Sequence, residues 1–144
     1  MIEKGRILAV DPGAKHIGLA LSDPGRQLAR PLQVITHVSL RIDAAQIGQF
    51  ASDNQVNLIL IGFPTGGDGE LIPQGRHAQK LAEAIRTQSS ILVELWDETN
   101  STQIARSSLL EMNVAKSKRG GHQDALAAAE VLQSYLDSKR QENE

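Results

Sequence analysis

Residues Val56–Ile61 read Val-Asn-Leu-Ile-Leu-Ile, almost unbroken apolar character over the length of one strand. Successive side chains of a strand point to opposite faces of its sheet, so such a strand has to be covered on both sides. Ile91–Trp96 is a similar run, and between the two lies a segment, about Gln74 to Thr87, in which Ala78, Leu81, Ala82 and Ile85 recur at helical spacing. This directs the chain to an α/β architecture. Upstream, the short apolar runs Ile7–Val10 and Ile17–Leu21 flank an Asp11-Pro12-Gly13 turn signal, which predicts a hairpin, and Pro31–Thr36 supplies a further strand. Ser39 is placed to cap a helix carrying Leu40, Ala44, Ile47 and Ala51 on one face. Residues 63–73 hold Pro64, Gly66, Gly67, Gly69 and Pro73 and predict a surface loop. Another helix is expected over about Thr102–Met112, and a last one from near Gln123 with Ala125, Ala128, Ala129, Leu132 and Leu136 on one face. Three strands followed by strand–helix alternation predict a mixed five-stranded sheet with helices on both faces.

Size and composition narrow the options further. The 144 residues suit one domain, expected over residues 1–138 with a frayed tail at 139–144, and leave no room for two large lobes closing on a nucleotide. Only Phe50, Phe63, Trp96 and Tyr135 are aromatic, so the interior must be built from Ile, Leu, Val and Ala, and platforms for base stacking are scarce. Fifteen basic against seventeen acidic residues give a formal charge of −2, so binding to a polyanion would need a local basic patch. The absence of cysteine excludes disulfides, thiolate zinc sites and cysteine nucleophiles. The N-terminal stretch is too short for a signal peptide, and no apolar run reaches the ~18 residues of a membrane span. A cytoplasmic protein with no membrane partner is expected, a monomer or a non-covalent homodimer.

Three acidic positions stand out. Asp11 ends a buried strand and is followed by Gly13 and Gly18, which permit close backbone approach to a phosphate or metal, although Asp-Pro-Gly is equally ordinary turn chemistry. Asp97-Glu98 follows the strand ending at Trp96, emerging from the edge where open α/β sheets place ligands; helix capping is the competing role. Asp124 opens the alanine-rich final helix, whose small side chains let it approach the sheet, and it too is placed to complement a helix terminus. Carboxylates at two strand ends and one helix start, without cysteine, suit Mg²⁺ or Mn²⁺ better than zinc. Lys15 and His16 follow Asp11, and Lys116, Lys118 and Arg119 precede Asp124; these cations either face solvent or hold a phosphodiester backbone that the acids alone would repel. His37 and His77 read as ordinary surface residues, and Asp68-Gly69 as a turn.

In four ordered blocks the chain resembles the YqgF/RuvX family of Holliday-junction-resolvase-like proteins, candidate pre-16S rRNA nucleases of the RNase H-like superfamily. The blocks are Ile7–Gly13 with Lys15 and Ile17-Gly18; Ile61–Pro64 with Asp68-Gly69; Glu94–Glu98; and Asp124 with Ala127-Ala128 and Leu132–Leu136. The resemblance covers nearly the whole chain. It implies an RNase H-like fold and a metal-dependent nuclease, with Asp11, Glu98 and Asp124 as the catalytic, metal-holding set and pre-rRNA or branched or single-stranded DNA as substrate. A non-catalytic nucleic-acid-binding or ribosome-assembly module of the same fold is the alternative. The chain departs from the family pattern at Thr99 and His16, where an arginine is usual, and so lacks two guanidinium groups suited to phosphate.

Overall fold

The computed structural model describes residues 4–63, 73–97 and 122–142. The first two apolar runs form β1 (Arg6–Pro12) and β2 (His16–Ser22), an antiparallel pair with Leu8 opposite Leu21 and Asp11 opposite Gly18. β3 (Ala29–Thr36) pairs antiparallel with β2. In the turn between them, the Asp23 carboxylate accepts the N–H groups of Leu28, Gln27 and Gly25. The Leu28 bond foremost holds that carboxyl below its ordinary range. Helix α1 (Leu40–Asp53) starts where Ser39 Oγ accepts the Ile42 N–H at 3.2 Å, which satisfies a donor that has no partner within the helix.

β4 (Val56–Phe63), α2 (Pro73–Gln88), β5 (Leu92–Asp97) and α3 (His122–Glu142) complete the described chain. β4 runs parallel to β1, and β5 parallel to β4, giving a mixed sheet in the order β3-β2-β1-β4-β5. The carboxyl ends of β1, β4 and β5 therefore lie along one edge of the sheet. Strand alternation sorts the core into two layers. Leu8, Val10, Ile59 and Ile61 meet Ala44, Ile47 and Ala51 of α1 and Ala78, Leu81 and Ile85 of α2. Ile7, Ala9, Leu58 and Leu60 meet Ala128, Leu132 and Leu136 of α3. The Val56–Ile61 run is thus divided between both faces, as its composition requires.

The expected sheet and the helices on both faces are present. α3 extends through Glu142, past the boundary placed at residue 138, with side-chain pairs Lys139–Glu142 and Asp137–Arg140 along its last turns. The helix expected over 102–112 and the loop at 64–72 lie outside the described residues. No helix among the described residues is long and apolar enough to cross a membrane.

Candidate active site at the carboxyl edge

The inner strand β1 fixes the direction of its last acid. Ile7 and Ala9 pack toward α3, so the two-residue period carries Asp11 to that same face at the carboxyl end of the strand. Its cross-strand partner is Gly18. A Cβ on Gly18 would lie 2.0 Å from the carbonyl oxygen of Asp124 and 3.1 Å from the amide nitrogen of Ala125. The first turn of α3 therefore occupies the space above Gly18, immediately beside Asp11. Ala125 and Ala128, both buried, allow the rest of the helix to follow the sheet at the same close range. Asp124 itself is 7% exposed, a carboxylate largely withdrawn from water.

This changes the role expected of the glycines. Gly18 admits the protein's own helix rather than a ligand. Gly13 has an equally internal use: its N–H donates to the carbonyl of His16 at 2.9 Å, and a Cβ would sit 2.5 Å from that same oxygen. Both glycines shape the scaffold that places Asp11. Lys15 and His16 are exposed on the turn after Asp11, and His16 Nδ1 lies 4.0 Å from Asp124 Oδ2. The β1–β2 hairpin thus carries His16 to the side of Asp124 and leaves Lys15 exposed beside it in the chain.

Asp97 reaches the same edge, since β5 runs parallel with β4 and Asp97 pairs with Phe63. Its alternation differs, however. Val93 and Leu95 belong to the α1/α2 layer, whereas Trp96 packs on Tyr135 of α3 with ring centroids 5.1 Å apart. Asp97 therefore falls on the face opposite Asp11 and Asp124. Glu98, Lys116, Lys118 and Arg119 lie outside the described residues, as do Asp68 and Thr99.

The donor chemistry at Asp11 and Asp124 is two carboxylates at one strand–helix junction, with no sulfur ligand. Hard oxygen donors of this kind fit Mg²⁺ or Mn²⁺. Among the described residues no group of three or more acidic or histidine side chains assembles into a complete cage. Asp11 and Asp124 are two such donors, and a complete cage would need a further carboxylate beside them.

Sequence reasoning misjudged His37 and His77. His37 Nδ1 hydrogen-bonds Asp43 Oδ2, Asp43 is wholly buried, and the ring of His77 meets His37 edge to face at 5.7 Å. The available signal was Asp43 itself. It sits four residues before Ile47, on the buried stripe of α1 rather than its wet side, where a carboxylate needs a partner.

The family model for RuvX, described as Holliday junction resolvase, matches residues 5–138. A protein of Clostridioides difficile (strain 630) named "Putative pre-16S rRNA nuclease" is 40% identical over 135 residues, covering 94% of this chain and 96% of that protein. One of the same name from Desulforamulus reducens is 36% identical over 133 residues, covering 92% and 97%. Among solved structures, Thermus thermophilus RuvC in complex with a Holliday junction substrate shares the fold, with a TM-score of 0.61 at 14% identity over 94% of this chain and 96% of that one. The fowlpox virus Holliday junction resolvase gives 0.55 at 14% identity, over 92% and 99%. Sheet order, the two helical layers and a match running from β1 to the last turns of α3 lead to one conclusion: the chain belongs to the RuvX family and has its RNase H-like fold.

Proposed function

We propose that this protein is a divalent-metal-dependent nuclease that hydrolyses phosphodiester bonds, with the 5′ end of ribosomal RNA precursors as its first candidate substrate and structured DNA as its second. The observation that supports this is the close seat of the Asp124 backbone over Gly18, which brings the first turn of α3 to the end of β1 that carries Asp11, at the edge where open α/β sheets bind ligands. Relatives named for pre-16S rRNA, aligned over more than nine-tenths of the chain, support RNA; the family description and the junction-bound fold neighbour support branched DNA.

Asp11, Glu98 and Asp124 would hold Mg²⁺ or Mn²⁺. Asp97 has the wrong strand parity to face Asp124, which leaves Glu98 as the candidate from that strand's end. When bound, the ion supplies an acidic centre that activates water and stabilises the departing 3′ oxygen. Asp11 and Asp124 contribute charge and position, fixed before substrate arrives by the hairpin register and the seat of α3. Lys15 and His16 on the hairpin, with Lys116, Lys118 and Arg119, would hold the phosphodiester backbone against the acids.

The test is incubation of the protein with labelled precursor-like RNA, single-stranded DNA and a four-way junction, each with Mg²⁺, Mn²⁺ or chelator. Cutting that needs the ion and is lost in Asp124→Asn is the expected result. Binding without cutting under every ion would contradict the enzyme and leave a binding module.

A further inference from the structure

The hairpin that presents Asp11 is also held from the α1/α2 side. His37 donates its backbone N–H to the carbonyl of Lys15 at 2.9 Å, so it stands at the same edge of the sheet as the acidic pair but on the other side of the hairpin. Its imidazole Nδ1 is hydrogen-bonded to Oδ2 of Asp43, and Oδ1 of Asp43 accepts the Val38 N–H at 2.9 Å. The Asp43 side chain has no exposure, whereas that of His37 is 30% exposed. Two elements face the ring, Asp43 from α1 and His77 from α2, while the Lys15 carbonyl of the hairpin holds the His37 backbone.

Burying a carboxylate is costly, and Asp43 meets that cost with two partners, the Val38 N–H at the entry to α1 and the His37 ring. What Asp43 achieves is to fix one nitrogen of a partly exposed imidazole and turn the other, Nε2, away from itself. Carboxylate-oriented imidazoles of this kind serve as ligands or proton carriers elsewhere in protein chemistry. The second ring narrows the choice. His77 meets His37 edge to face at 87°, and among the described residues no group of three or more acidic or histidine side chains that could hold a metal ion is formed here. An oxyanion approached by Nε2–H remains, and the nucleic-acid substrate carries one at every nucleotide.

We propose that His37, oriented by Asp43 and backed by His77, is a phosphate-binding position for the nucleic-acid substrate, on the opposite side of the hairpin from Asp124. The inference rests on the nucleic-acid reading above and extends the contacted strand across the sheet edge. Binding of labelled single-stranded RNA is measured in chelator, so that nothing is cut, across a salt series near pH 6. His37→Gln is expected to raise Kd about threefold to tenfold, the size of one ordinary hydrogen bond at a partly exposed site. It should also make the log Kd against log salt slope shallower by about 0.7, one single-strand phosphate contact. His37→Arg, which places a permanent cation there, should recover affinity and slope. Equal affinity and slope for wild type and His37→Gln near pH 6 would overturn the proposal. So would a loss that arginine does not recover, because it would mark a merely structural histidine. Wild type that binds no RNA, DNA or junction would remove the nucleic-acid reading itself, and this position with it.

Discussion

At position 18 the difference between a hydrogen and a methyl group decides how near α3 can stand to Asp11. Gly18→Ala would place a Cβ 2.0 Å from a main-chain oxygen, which no side-chain rotation can relieve, so the first turn of α3 must move. We expect that variant to lose about 1–3 kcal/mol of stability, the range for overpacked interiors, and to lose most of its cleavage while remaining folded in urea melts. Wild-type cleavage by Gly18→Ala would show that the seat of Asp124 is not catalytic. Asp124→Asn keeps the shape but withdraws the charge, and should reduce metal-dependent cutting by about a hundredfold or more. Asp11 and Asp124 were legible in the sequence as acids at a strand end and a helix start. The glycine's use was not, because a turn, a ligand and an incoming helix all ask for the same missing side chain. Asp43 was missed for a different reason: its charge reads as surface, and only its place on the stripe of Ala44 and Ile47 discloses its burial.

Among the elements, the strands were the most legible, because an apolar run has to be buried wherever it pairs. The expected hairpin, the third strand and the runs beginning at 56 and 91 all appear, and the α2 boundaries fall within a residue of those expected. Strand pairing was less legible: nothing in the apolar runs states that β1 is flanked by β2 and β4, a matter of long-range register. Nor does composition reveal that Asp97 and Asp11 differ in face, which follows from the hydrophobic neighbours of each strand once paired. α3 carries Asp124 and is seated through small residues, so its distance from the sheet is open to change at a point far from the acids. Ala128 has no exposure and packs among Ile7, Ala9 and Leu60. Ala128→Leu should lift the helix, cost about 1–3 kcal/mol and lower the cleavage rate without touching a charged group. Paired denaturation and single-turnover measurements check this. A destabilised variant that cuts at the wild-type rate would separate the position of α3 from the chemistry.

For the whole molecule, the proposed site has native folding force like charges together at one sheet edge in exchange for a cation. In that arrangement repulsion between the acids would weaken the metal-free fold, and a divalent ion that binds only the native state would relieve it. At a hundredfold excess over its Kd the ion contributes about 2.7 kcal/mol, roughly 5–10 °C in melting temperature for a domain of this size. Acids that merely complemented helix ends would behave otherwise, since removing one would slightly destabilise the fold and no ion would matter. The most direct measurement is therefore a thermal melt across a Mn²⁺ series, from chelator to saturation, for wild type and Asp11→Asn. A shared site predicts a wild-type Tm that climbs with Mn²⁺, together with an Asp11→Asn protein that starts higher in chelator and responds weakly. A wild type indifferent to Mn²⁺, with Asp11→Asn melting below it in chelator, would contradict the account.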